Sequence, residues 1–183
     1  NMVERARKMY SAELDQRSFR FARKSAPKSL KTALDRVNRQ WNELYRNQDG
    51  AYQVYHAIAE KFLFALQQAG TDITDLMTDE PESISPELQR FYFDAMQFSK
   101  LAEVCGEHSM FDITRDTEPG SKVQATLCIR NIVPAPFLKQ RFATAHSTTL
   151  FSATLGPHHF YADMLGLPDD TAWIDVELSL IHI

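Results

Sequence analysis

The chain has 183 residues, 44% hydrophobic and 24% charged, which fits about one to one and a half ordinary globular domains and excludes disordered, collagen-like or coiled-coil chains. No run approaches the ~18 apolar residues of a membrane span, and no apolar secretory core comes after the charged start Asn1–Lys8. The net charge of −4 hides a division: residues 1–48 hold twelve Lys/Arg against five Asp/Glu, residues 49–118 four against fourteen, and residues 119–183 four against five. Such asymmetry fits a basic element that meets a polyanion beside an acidic one, or two segments that pack together and neutralise each other. Two cysteines, Cys105 and Cys128, form neither a disulfide framework nor a four-ligand metal site alone, and they suit a reducing, cytoplasmic location.

From Met2 to about Lys24 there is no Gly or Pro, and Val3, Ala6, Tyr10, Leu14 and Phe21 recur at helical spacing. One helix is expected there, already under way at Asn1, with neither a start methionine at position 1 nor a capping box. A second helix is expected over Ser29–Asn47 behind Pro27, with Leu30, Leu34, Val37, Trp41, Leu44 and Tyr45 on one stripe. After an Asp49-Gly50 turn, Ala51–Ala69 reads as a third helix ended by Gly70. Residues 71–86, acidic and turn-rich, read as a mobile loop. Ser85-Pro86 opens a fourth helix to about Cys105 through Leu88, Phe91, Ala95, Phe98 and Leu101. The first two-thirds is thus expected to be a helical bundle.

The pattern then changes. Lys122–Ile129 reads as a strand after a Pro119-Gly120 turn, Pro136 to about Ala145 as a short helix, and Ser147–Leu155 as a β-branched strand ended by Gly156-Pro157. His158–Leu165 is helical again, stopped by Gly166. This alternation is the grammar of an α/β sheet, here only a part of one, and no internal repeat is present.

Thr148-Thr149-Leu150-Phe151-Ser152-Ala153-Thr154-Leu155-Gly156-Pro157 carries the most chemistry. Small hydroxyl residues at a strand end lie where α/β sheets bind ligands or meet a moving partner; they can equally cap local backbone groups. Together with the downstream Tyr161-Ala-Asp-Met-Leu-Gly-Leu167, this run resembles motif III of the XPD/DinG-like branch of superfamily 2 helicases. Leu127-Cys128-Ile129, then Val133-Pro134 and Phe137-Leu138, resembles the strand and helix before that motif. At the other end, Asn1-Met2-Val3-Glu4-Arg5-Ala6-Arg7-Lys8-Met9-Tyr10-Ser11 is similar to the segment after the Asp-Glu-Ala-His (Walker B) box in DinG-like members. The resemblance covers residues 1 to about 177, with specific motifs only at the two ends.

The resemblance implies a mixed α/β, mostly helical fold. Residues 1–118 would be a helical Arch-like insertion, with 1–24 continuing from the motor domain, and 119–177 part of the first RecA-like motor domain. It implies 5′-to-3′ unwinding of DNA driven by ATP hydrolysis, with DNA repair duties. Ser152, Ala153 and Thr154 would couple hydrolysis to movement without performing it. Gly156 departs from the family, where Ser is common. After Val176-Glu177 the family continues with a Ser-Pro-Phe-type segment, so Leu178–Ile183 reads as a non-native tail or a divergent strand. The chain has no Gly-x-x-x-x-Gly-Lys-Ser/Thr loop and no Asp-Glu-Ala-His box, so ATP and Mg²⁺ would be bound outside it. The family's iron–sulfur cysteines, where a cluster is present, also lie upstream.

Arg17, Arg20, Arg23, Lys24, Lys28 and Lys31, interleaved with Phe19 and Phe21, offer the phosphate neutralisation and base stacking of single-strand binding. The alternative is a solvated face with both phenylalanines buried. The expected partners are single-stranded or forked DNA and the remaining helicase domains in cis, with no membrane. Cys105/His108 and His158/His159/Asp163 lack further partners, so no metal is expected, and Ser152 has no nucleophile elbow. A non-enzymatic helical module that binds nucleic acid or an acidic protein is the other function compatible with these features.

Overall fold

The amino-terminal run expected as one helix to Lys24 is broken in two. In the computed structural model, which describes residues 2–116 and 123–176, α1 (Met2–Met9) is succeeded by β1 (Ala12–Asp15) and then α2 (Gln16–Ser25). The break comes from Asp15, whose carboxylate accepts from the Arg17 and Ser18 backbone N–H groups at 3.3 and 2.8 Å and so starts a new helix. Ahead of it Ala12 and Leu14 turn inward while Glu13 is exposed, the period of a strand.

α3 (Lys31–Leu44) comes after a short 3-10 turn at Lys28–Leu30, two residues later than its expected start at Ser29. The expected third helix is displaced: β2 (Tyr52–Tyr55) comes first, and α4 runs Glu60–Asp79. Gly70, expected as its cap, is buried mid-helix instead. The acidic stretch after it is no loop up to Asp79, because Ile73 is buried and Leu76 and Met77 pack on the core with helical spacing, while the acids face water. Thr71, Thr74 and Thr78 donate to the carbonyls four residues back. α5 (Pro86–Glu103) begins as expected, with Ser85 Oγ accepting from Leu88 N at 3.2 Å.

β3 (Ser109–Asp116), which the sequence pattern does not single out, pairs antiparallel with β4 (Gln124–Asn131). Among the described residues the sheet has four strands in the order β1-β4-β3-β2, all antiparallel. The expected Pro119-Gly120 turn lies outside the described residues, as does the 178–183 tail. The first two-thirds is therefore no pure bundle but helices on a sheet: Leu14, Phe111, Ile113, Leu127 and Ile129 share one core with Phe19, Trp41, Phe62 and Phe98. Rings touch in a chain from α2 to β3, Phe19 on Trp41 at 5.3 Å, Trp41 on Phe62 at 5.7 Å, Phe62 on Phe98 and Phe98 on Phe111 each at 6.3 Å. The fold is mixed α/β and mostly helical.

The chain divides into two compact units. Arg7–Ile132 form the larger one; residues 2–6 and 133–176 form the smaller. β4, which the family resemblance would place with residues 119–177, lies in the larger unit, paired with β1 and β3. In the smaller unit α6 (Ala135–Thr144) and α7 (His158–Leu165) form as expected. Gly166 ends α7 with φ of +65°, and a Cβ there would stand 3.0 Å from the Ala135 carbonyl oxygen. Val3, Ala6 and Leu165 are buried together, with Leu138, Phe142, Leu150, Tyr161, Met164 and Leu167 packed around them. Ser147–Leu155 is not a strand: no described strand lies beside it to complete a ladder, and Phe151 is 88% exposed.

Gln16 ties the larger unit together. It is fully buried, donates to Asn42 Oδ1 at 2.9 Å, and accepts from Tyr45 Oη and from the Ala125 backbone N–H at 3.0 Å. The last bond extends the β1–β4 ladder by one rung after β1 has turned into α2. Gln16→Ala leaves the Ala125 N–H unpaired, and a loss of about 2–4 kcal/mol is expected in urea unfolding. A loss under about 0.5 kcal/mol would contradict this role.

Candidate functional site

α2 sorts the predicted basic residues by what each already holds. Arg23 pairs with Asp35 of α3 at 2.6 Å, so its charge is matched inside the fold. Arg20 donates through Nη2 to the Val123 carbonyl at 3.0 Å, a neutral acceptor that fixes its direction. Arg17 and Lys24 are exposed, and Lys28 is exposed in the 3-10 turn after Pro27. The two phenylalanines part company: Phe19 is fully buried on Trp41, whereas Phe21 is 56% exposed. Residues four and seven apart share a helix face, so Arg17, Phe21 and Lys24 form one stripe. A shallow hollow lined by Phe21, Lys24, Ser25 and Glu87 lies along it. An exposed ring between two cations can stack a base and hold the flanking phosphates.

Sequence reasoning did not single out Arg90, exposed on the neighbouring α5. A cleft of about 250 Å³ between β1 and α5 is lined by Glu13, Ser18, Arg90, Asp94 and Gln97. Burial pushes the Asp94 carboxyl up from the ordinary carboxylate range, Arg90 draws it down and Glu13 pushes it up further. The only sequence signal was the helical spacing of Arg90, Asp94 and Gln97 on a face the apolar stripe leaves free.

In the smaller unit Ser152, Ala153 and Thr154 lie on an exposed segment before the Gly156-Pro157 bond, which is cis. Thr154 N donates to Ser152 Oγ at 3.3 Å, and Tyr161 Oη of α7 donates to the Thr154 carbonyl at 2.9 Å. The loop is thus anchored to α7, and Ser152 and Thr154 are exposed.

The remaining candidates do not converge. Cys128, buried on β4, lies 3.8 Å from Glu13 Oε2, and burial pushes its thiol up to about 12, far from a reactive thiolate. Burial also raises the Cys105 thiol. His158 stacks on Trp173 at 4.4 Å with Nε2 3.3 Å from Asp175 Oδ1. Among the described residues no three His, Cys, Asp or Glu side chains gather as a metal site would require, and no helix is long and apolar enough to cross a membrane. No protein-family model matches the chain, and no curated protein matches it.

Proposed function

We propose that this chain is the Arch-like insertion and motif III region of an ATP-dependent DNA helicase of the XPD/DinG-like kind. One observation carries the proposal. The two stretches that bear the resemblance, at opposite ends of the sequence, contribute to one small core in which Val3 and Ala6 are buried with Leu165, while Arg7–Ile132 folds as a separate unit between them. An insertion between two parts of a motor domain has this arrangement, and a free-standing binding module has no need of it.

In this role Ser152 and Thr154 present hydroxyls to the nucleotide-site acid or to the second motor domain, and Tyr161 holds their loop in place. They report nucleotide state to the DNA-moving parts. ATP and Mg²⁺, which supply the free energy, would be held by the rest of the polypeptide: the sequence here has neither a Gly-x-x-x-x-Gly-Lys-Ser/Thr loop nor an Asp-Glu-Ala-His box. In the longer chain, Ser152→Ala with Thr154→Ala is expected to keep DNA binding and ATP hydrolysis within about twofold and to lower unwinding by about tenfold or more. Unwinding at the wild-type rate would contradict the coupling role.

Arg17, Phe21 and Lys24 supply a face for one DNA strand, with Arg20 and Lys28 adding charge. For the 183-residue chain, Arg17→Gln with Lys24→Gln is expected to lower the salt-dependence slope of single-strand binding by about 1.4, two phosphates at about 0.7 each. Arg23→Gln, whose guanidinium is held by Asp35, is expected to change it little. Fluorescence anisotropy of a labelled oligonucleotide over a salt series reads both, and equal slopes in all three proteins would contradict this face.

A further inference from the structure

The two edges of the sheet are treated differently. At the β1 edge the Ser11 carbonyl accepts from Gln97 Nε2 of α5 at 3.1 Å, and Arg90 and Asp94 stand beside it, so that edge is covered. At the other edge lies β2, Tyr52-Gln53-Val54-Tyr55, in which only Tyr55 is partly buried. Arg115 N donates to the Ala51 carbonyl at 2.6 Å, one step from the Tyr52–Thr114 pair in the register. Bonded pairs alternate along an antiparallel ladder. Gln53 and Tyr55 therefore turn their backbone groups toward β3, and Tyr52 and Val54 turn theirs away from the sheet. Among the described residues nothing takes those outward groups.

Edge strands in natural proteins are ordinarily blunted by charge, proline or a bulge. This one carries no charge and no proline, and its outward residues are large, with Tyr52 51% and Val54 47% exposed. The strand is also its own complement. Laid antiparallel on a second copy about a two-fold axis through Gln53, Tyr52 faces Val54 of the other copy and the reverse, in two bonded pairs that would close four backbone hydrogen bonds. Aromatic against β-branched is a favourable cross-strand pair. Beyond the strand, Asp49 and Gly50 would meet Ala57 and His56 of the second copy, so no like charges oppose each other.

We infer that β2 is a docking edge for a second copy of this chain, which continues the sheet from one molecule into the other through the Tyr52–Val54 pairs. The inference is independent of the helicase proposal. It is tested by sedimentation of the 183-residue chain between about 1 and 500 µM, where a small interface associates. The expected result is a reversible monomer–dimer equilibrium. Val54→Pro removes only an N–H that points away from β3, and an edge strand tolerates it; Val54→Lys places a charge on the edge and decides the matter should the proline variant misfold. With the wild-type circular dichroism spectrum retained, either variant is expected to associate about tenfold more weakly or worse. A monomer at every concentration, or a dimer whose affinity Val54→Lys leaves unchanged, overturns the inference.

Discussion

Where the chain enters the larger unit and where it leaves it, two hydrogen bonds join the entering and leaving segments, and a third orders the entering one. Ser11 Oγ donates to the Arg7 carbonyl at 2.8 Å and accepts from Asn131 N at 3.0 Å, and Arg7 Nε donates to the Ile132 carbonyl at 2.9 Å. The β1–β4 ladder continues inward from this clasp, from Ala12–Ile129 to Asp15–Thr126. Val3 and Ala6 bury with Leu165 although Arg7–Ile132 intervenes in sequence.

Within that unit the physical logic runs from Gln16 outward. Its amide completes the ladder at Ala125 and reaches Asn42 on α3, so the start of α2 is bound to the sheet and to the next helix. One turn on, Phe19 enters the ring chain with Trp41 and Phe91. Once Phe19 points inward, the helix period turns Phe21 outward, between Arg17 and Lys24. The exposed face of Arg17, Phe21 and Lys24 is thus a consequence of how the core is filled. The opposite charge of residues 49–118 is accounted for in the same way, because the acids of α4 lie on its solvent side while Ile73, Leu76 and Met77 hold it to the core.

The helices with a clear cap were legible in the sequence: Ser85-Pro86 opens α5, and Gly166 closes α7 with a positive φ. The strands were less so. β1 and β2 are four residues each, short enough that helical and strand spacing look alike, and only their partners decide between them. Those partners are distant, β1 pairing with β4 and β2 with β3. In β3 the inward Phe111 and Ile113 flank Asp112 with a strand's alternation, but Asp112 is fully buried in an ion pair with Arg130, a placement that only its tertiary partner reveals. The acidic loop was misread because composition outweighed the spacing of Ile73, Leu76 and Met77. Of the candidate site, residue types were visible in the sequence, but the inward turn of Phe19, the Asp35 partner of Arg23 and the open β2 edge depend on tertiary contacts.

The proposed function rests on a unit interrupted by an insertion, and on the motor to which that unit would belong. The coding sequence immediately before Asn1 tests this most directly. The expected result is Asp-Glu-Ala-His in frame directly ahead of Asn1, with a phosphate-binding Gly-Lys-Ser/Thr loop farther upstream. A start codon in that place with no such box would contradict it, and the burial of Val3 and Ala6 with Leu165 would then belong to a free-standing protein.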